Sequence, residues 1–284
     1  MTDALVRPDL GSQAAYLIRS CTEGSDPSLV AEALRIHAAG YLSMGFLNGE
    51  AVTEEGFIHP DIDRSRGETT EYFLAVNSTN AGDCATLRKV RLRPGASMTD
   101  FDCYELCRRS LFPEGAAHLA RMFSEAQAVV EISALARTPQ ASPATVWHLL
   151  RAAVHDSMAR KEVWFFCLVV STYDSFVSHL GPSFMSVLGR DVAIEDGRVS
   201  SDVMLRPVMV DTTSFIDSML LDYEGAAGRT RSRLERSLLF FSEGLDEKVV
   251  SPAAAAFRGE RAGENFRPPR LATSAPNNAV GSPT

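Results

Sequence analysis

The chain has 284 residues, 45% hydrophobic and 23% charged, with 28 basic against 36 acidic side chains and a formal charge of −8. This suits a globular chain of one large domain or two small ones and argues against a surface given over to nucleic acid. The longest apolar run, VWFFCLVV at 163–170, is too short for a membrane span, and MTDALVRPDL lacks an export signal's charged and apolar regions, so a cytoplasmic location is expected.

The first 27 residues read as an N-terminal extension. Residues 29–42 (LVAEALRIHAAGYL) are rich in helix formers and place Leu29, Ala33, Ile36 and Gly40 on one face, which predicts a helix. Residues 71–77 (EYFLAVN) predict a strand, and turn chemistry at 77–82 joins it to the alternating run 84–93 (CATLRKVRLR) in a hairpin. A short helical region over 103–122 follows, broken at Pro113 and Gly115. The run AVVEISALA at 128–136 predicts a buried strand. Ser142 is placed to cap, and Pro143 to open, a helix reaching about Lys161; an almost wholly apolar strand then covers 162–171. Strand, helix and strand make a βαβ crossover (128–136, 142–161, 162–171), whose two strands should be parallel neighbours. A short helix at 172–180, a segment at 184–188, a strand at 203–211 and helices at 212–221 and 232–250 complete the pattern. The expected fold class is α/β: a mixed central sheet flanked by helices in one domain over 28–250, followed by a flexible Pro/Gly/Ser-rich tail over 251–284.

Several chemistries lack their motifs. No GxGxxG follows a strand, no GxxxxGK[ST] exists, and Gly181-Pro-Ser183-Phe-Met fails as a nucleophile elbow. Six histidines include no HExxH, and His148 and His155, seven apart on a helix, read as partly exposed side chains, so no metal is expected. Five cysteines (Cys21, Cys84, Cys103, Cys107, Cys167) form no CxxC; Cys103 and Cys107 suit half-buried thiols better than a redox pair.

Glu131 stands inside a strand that should be covered on both faces, where a carboxylate must be hydrogen-bonded, paired or open to a cleft. It shares a face with Val129, Ser133 and Leu135. A raised carboxyl pKa there suits a general base, and a salt bridge to Arg88 or Arg91 is the structural alternative. Positive charge is the second feature. Lys89, Arg91 and Arg93 share one face of their strand, Arg88 takes the other, and Arg108 and Arg109 follow; an acidic partner or a phosphate could dock there, or the strand could simply be solvated. Arg229, Arg231, Arg233 and Arg236 form another basic group at a helix start, the end that prefers anions.

The order of these features resembles the acyl-homoserine-lactone synthases and the related N-acyl amino acid synthases, branches of the GNAT acyltransferase superfamily. The likeness runs over about 28–225 and rests on Leu34-Arg35, Asp61-Ile-Asp63, EYFLAV, ATLRKVRL, VVEISALA and HLGPSFMSVLG. It implies a GNAT-like sheet splayed between 128–136 and 162–171, with a phosphopantetheine arm in the gap. Glu131 would assist deprotonation of an attacking amine; Arg35, Asp61, Asp63, Arg88 and Arg91 would bind substrate. Ile132, Ser133, Ala134, Leu135 and Arg137 would meet the acyl donor, and Trp164, Phe165, Phe166, Leu168, Trp147 and Leu150 could line the acyl chain. No tightly bound cofactor is implied: the co-substrate is an acyl thioester of an acyl carrier protein, or acyl-CoA.

The resemblance is incomplete. The superfamily's pyrophosphate loop, [RQ]xxG[GA], loses its glycines in Arg137-Thr-Pro-Gln-Ala-Ser142, as in synthases fed by carrier proteins. Ala134 stands where an arginine is usual and Ala39 where an aromatic is, a later tryptophan is replaced near Gly45-Phe46, and the acidic pair is Asp-x-Asp. These changes argue against homoserine-lactone synthesis. The leading expectation is N-acyl transfer from a carrier-protein thioester to an amino acid or other small amine. A non-catalytic binder of acyl carriers or of a partner protein, and a coenzyme-A-dependent N-acetyltransferase, are the alternatives.

Overall fold

The computed structural model describes residues 16–63, 70–92, 96–124, 128–246 and 249–260. Its elements, in order, are β1 (Tyr16–Cys21), α1 (Pro27–Ser43), β2 (Thr70–Asn77), β3 (Asn80–Arg91), α2 (Asp102–Cys107), α3 (Pro113–Ser124), β4 (Ala128–Arg137) and α4 (Pro143–Arg160). Then come β5 (Glu162–Val169), α5 (Val170–Leu180), β6 (Ser186–Val187), β7 (Val192–Ala193), β8 (Met204–Asp211), α6 (Phe215–Gly225), α7 (Gly228–Ser242) and α8 (Pro252–Glu260).

Local chemistry sets the main helix starts. Asp26 accepts a hydrogen bond from the Leu29 N–H ahead of α1, and Ser142 does the same for Ala144 ahead of α4. Each helix has proline in its first turn, where the missing N–H has no intrahelical partner to lose. Lys161 then turns α4 into β5 with a left-handed φ of 55°.

The sheet runs β1-β2-β3-β4-β5-β8-β6, with β7 also on β8. Every pair is antiparallel except β4 and β5, which are parallel as the crossover demands. Alternation divides the core. Phe73, Leu87, Val130, Trp164 and Val208 face one side and pack with Trp147 of α4 and Leu238 of α7. On the other side, Tyr72 and Leu74 meet α1, while Val129 and Phe165 meet Phe101 and Leu119 around α2 and α3. The fold is thus a mixed α/β sheet flanked by helices, and no helix among the described residues is long and apolar enough to cross a membrane.

Some boundaries differ from the sequence reading. The segment assigned to an N-terminal extension contributes the edge strand β1, which pairs with β2 from Tyr16↔Asn77 to Cys21↔Tyr72. The segment assigned to the tail begins with α8, whose Phe257 packs edge-on against Tyr223 with centroids 5.1 Å apart. The helix expected over 232–250 starts at Gly228 and stops at Ser242, and β5 yields to helix at Val170 rather than after 171. Gly115 does not break a helix. It sits in the first turn of α3, where a Cβ would press into the Leu188 carbonyl. Gly115→Ala must therefore push α3 off the strand that leads into Gly189, a backbone-against-backbone clash with no flexible side chain to yield. We expect a loss of roughly 1–3 kcal/mol, read as a lowered melting temperature with unchanged secondary-structure content.

Candidate active site

The β4–β5 pair holds for only four residues, from Ala128↔Glu162 to Glu131↔Phe165. Beyond Glu131 the strands part: β5 stays with β8 as far as Val169, while β4 stays with β3. A bulge accompanies the parting. Between the Arg88↔Ser133 and Thr86↔Ala136 pairs, Ala134 and Leu135 of β4 face the single residue Leu87 of β3, and Ala134 takes a left-handed φ of 53°. An extra residue bends its strand, here away from β5. The gap opens into a cavity of about 660 Å³. Ile132, Ser133, Ala134 and Leu135 form one wall of it, and Trp164, Phe166 and Leu168 another. Leu150 of α4 and Phe176 of α5 close its apolar end.

Polar groups gather at the vertex. Glu131 is 1% exposed, and its Oε2 accepts the Cys103 N–H at 2.9 Å, so it satisfies a free amide in the first turn of α2. Arg88 projects from the same sheet face. Its Nη2 lies 2.7 Å from Asp63 Oδ1, and its Nε donates to Ser133 Oγ at 3.0 Å. Burial pushes the Arg88 guanidinium pKa down, but Asp63 beside it, with further help from Tyr72 and Glu131, reverses this and holds the charge. His37 Nδ1 stands 3.7 Å from Asp63 Oδ2, and the His37 ring meets Tyr41 edge-on at 4.3 Å. Burial drives the Tyr41 hydroxyl up to about 12, so it stays protonated. The vertex thus combines a strand carboxylate, an arginine–aspartate pair, an imidazole and a phenol beside an apolar cavity.

The structure brings Glu131, Asp63, Arg88, Ile132, Ser133, Ala134, Leu135, Trp164 and Phe166 to this cavity, with Asp61 at its rim bound to Arg198 at 2.6 Å. It does not bring Arg35 there. That side chain is exposed, donates to the Glu55 carbonyl at 3.3 Å and lies over the Phe57 ring. Arg91 also lies elsewhere: with Lys89 it takes the opposite sheet face, where its Nη1 meets Glu71 at 2.6 Å and its Nη2 meets Glu162 at 2.6 Å. Arg137 turns to the Ala141 carbonyl. Phe165 and Trp147 belong to the packed cores rather than the cavity wall.

The expected basic docking strand is corrected for the same reason. Arg88 and Lys89 are buried and matched by carboxylates, so neither offers charge to a partner's surface. Arg93 lies outside the described residues, and Arg108 pairs with Glu105. In the second basic group, Arg231 stacks on Tyr223 and Arg233 donates to the Ser178 carbonyl.

His37 and Tyr41 are the site residues that sequence reasoning passed over. They stand four apart, one turn of α1, with His37 two positions beyond Arg35, and α1 buries Val30, Ala33, Leu34, Ile36, Ala38 and Gly40 around them. Among the described residues no cluster of His, Cys, Asp or Glu could hold a metal ion. Burial drives His148 down to about 3 and His155 to about 4, so both helix histidines are neutral.

The Trp164 wall is held from behind. Its Nε1 donates to Ser157 Oγ at 2.7 Å, and Ser157 donates to Glu162 Oε2 at 2.6 Å. Ser157→Ala leaves a buried indole N–H without its acceptor. A loss of about 1–3 kcal/mol is expected, with a shifted tryptophan emission spectrum reporting the freed ring.

With a parallel pair splayed beside a bulge and a vertex carboxylate, the fold is GNAT-like. No family model and no curated protein matches the sequence. Among solved structures it is similar to FeeM, an N-acyl amino acid synthase from uncultured soil microbes, with a TM-score of 0.52 and 15% identity over 76% of this chain and 100% of that one. Two further likenesses have TM-scores of 0.45. The AHL synthase LasI is 12% identical over 72% of this chain and 95% of its own. MesI, a CoA-dependent acyl-homoserine lactone synthase, is 13% identical over 75% of this chain and 97% of its own.

Proposed function

We propose that the chain is an N-acyltransferase that moves an acyl group from the phosphopantetheine thioester of an acyl carrier protein to the amine of an amino acid or similar small amine. The observation that carries this reading is the β4–β5 gap with Glu131 at its vertex. The fold likeness to an N-acyl amino acid synthase supports it. The thioester arm enters between the strands, where 132–135 have no β5 partner, and the amides turned away from β3 receive the arm and the developing oxyanion. The acyl chain lies against Phe166, Leu168 and Leu150. Glu131, directly or through water, takes a proton from the amine as its nitrogen attacks the thioester carbonyl. The C–S bond then breaks and the carrier thiol leaves with a proton. Asp63, Arg88 and His37 shape the acceptor side. His37 and Tyr41 supply a nitrogen donor and an aromatic four residues apart on the first helix, the spacing that the family resemblance asks there of an arginine and an aromatic.

A carrier-protein donor fits better than coenzyme A, since the Asp83 carboxylate already occupies the N-terminus of α4. Buried Asp83 accepts the Ser142 N–H at 2.9 Å through Oδ1, which also takes the Thr145 hydroxyl, and the Asn77 amide at 2.9 Å through Oδ2. A pyrophosphate would meet that carboxylate instead of free amides. A cytoplasmic location belongs to the same reading.

Full-length protein incubated with acylated carrier protein and pooled amino acids, with acyl-CoA in parallel, tests it by mass spectrometry. Carrier-dependent N-acyl product is expected. Carrier binding with no product from either donor would overturn it in favour of a non-catalytic binder, and product from acyl-CoA alone would overturn the donor.

A further inference from the structure

We infer that Cys103 and Cys167 form a dithiol that peroxides oxidise to a disulfide across the cavity. Cys103 lies in the first turn of α2 and Cys167 on β5, 64 residues apart in sequence. Both line the cavity, and both are partly exposed, so a small oxidant can reach them. The Cys167 Sγ donates to the Cys103 carbonyl at 3.7 Å, which brings the two residues together across the cavity mouth. Cys107, one turn further along α2, is buried and does not line the cavity. Cys103 and Cys107 share a short helix, whereas Cys103 and Cys167 approach from facing elements. The second pair is the one whose bond would span the opening.

Both thiols hold their protons above the ordinary range. Contact with Cys167 draws Cys103 down, but burial and the Glu131 charge outweigh it; contact with Cys103 and Cys107, then burial, pushes Cys167 up. Alkaline pH therefore starts the reaction by ionising Cys103. Its thiolate attacks one peroxide oxygen, the O–O bond breaks, hydroxide leaves, and a sulfenic acid forms. The Cys167 sulfur attacks the Cys103 sulfur, the S–S bond forms, and the hydroxyl leaves with the Cys167 proton as water. The hydroxide recovers the proton that Cys103 released, so two thiols and one peroxide give one disulfide and two waters. The bond ties α2 to β5 beside Glu131, whose carboxylate is fixed by the amide of the same Cys103. Closing the cavity to an acyl chain is the one element that rests on the proposed function.

Hydrogen peroxide added to the full-length protein at mildly alkaline pH, followed by intact-mass and non-reduced peptide analysis, tests the pair. A loss of about 2 Da, with Cys103 and Cys167 peptides cross-linked and a reductant reversing both, is expected. Binding of a fluorescent fatty acid should fall several-fold on oxidation and recover on reduction. In Cys167→Ser it should show little change between treated and untreated protein. Only oxygen adducts on single cysteines, or a cross-link to Cys107, would overturn the dithiol. A disulfide that leaves fatty-acid binding intact would overturn the closure. Neither readout needs N-acyl product, so failure of the acyltransferase reading shows separately, as absence of product from the reduced protein.

Discussion

Glu131→Gln is expected to lower N-acyl product formation by about 10²- to 10⁴-fold, the usual contribution of a positioned general base. The substitution is nearly isosteric. Glutamine keeps a carbonyl oxygen where Oε2 accepts the Cys103 N–H, so the first turn of α2 keeps its partner. Arg88 keeps Asp63 at 2.7 Å, so no buried guanidinium is stranded. Thermal stability should therefore change little while turnover per folded molecule collapses. The deficit should shrink as pH rises, because more of the acceptor amine is already neutral and needs no base. Glu131→Ala separates the two duties of the side chain, since it removes the helix-capping oxygen as well and should also lower the melting temperature. If Glu131→Gln melts clearly earlier but turns over normally per folded molecule, the carboxylate holds α2 in place and catalyses nothing.

The crossover was legible because its signals are local. Ser142 and Pro143 mark the start of α4 in adjacent positions, and the apolar runs on either side are long enough to be strands buried on both faces. Glu131 was legible as an anomaly for the same reason: a carboxylate in such a run must be explained. Its partner was not legible, since a backbone N–H at Cys103 carries no side-chain signature. The choice of Arg35 over His37 shows a different limit. Helix α1 is buried on a wide arc from Val30 to Gly40, so periodicity identifies the helix without saying which part of the arc meets the sheet and which meets the cavity. Two residues on a helix are about 200° of rotation, enough to move a functional side chain from one side to the other. Composition misled in α8, where alanines and a single phenylalanine precede a Pro/Gly/Ser-rich stretch; core residues far back in the chain, Tyr223 among them, make Phe257 a packed residue. The charges of Lys89 and Arg91 looked open to a partner or to solvent because the strand alternates. The carboxylates that neutralise them, Asp156 and Glu162, stand 67 and 73 residues beyond Lys89.

That neutralised cluster gives the largest expected stability effect. Lys89 is fully buried, with Nζ 2.7 Å from Asp156 Oδ2, 2.9 Å from Glu162 Oε2 and 4.9 Å from the Phe73 ring centroid. Lys89→Met preserves the apolar stem and removes the charge, leaving the buried Glu162 to Arg91 and Ser157 alone. Removing one partner of a buried ion pair costs about 3–5 kcal/mol, which for a chain of this size is a fall of roughly 10 °C in melting temperature. Adding Glu162→Gln should recover part of that loss, because the stranded charge disappears with its partner. Acid provides an independent check. Burial pushes the Glu162 carboxyl up, but the Lys89 charge and the hydrogen bonds from Ser157, Lys89 and Arg91 outweigh it, so its native pKa lies below the ordinary 4.5. A depressed native value means that the unfolded chain takes up the proton first as pH falls. The stabilisation is whole above pH 4.5 and drains away as pH drops from there through the native value. Melting curves between pH 7 and pH 3 should show the wild type losing more stability over the acid part of that range than Lys89→Met, in which the depression of Glu162 is largely gone. Equal acid losses in the two proteins would mean that Lys89 does not set the ionisation of Glu162, and that the cluster holds the β3 and β5 ends together by packing rather than by charge.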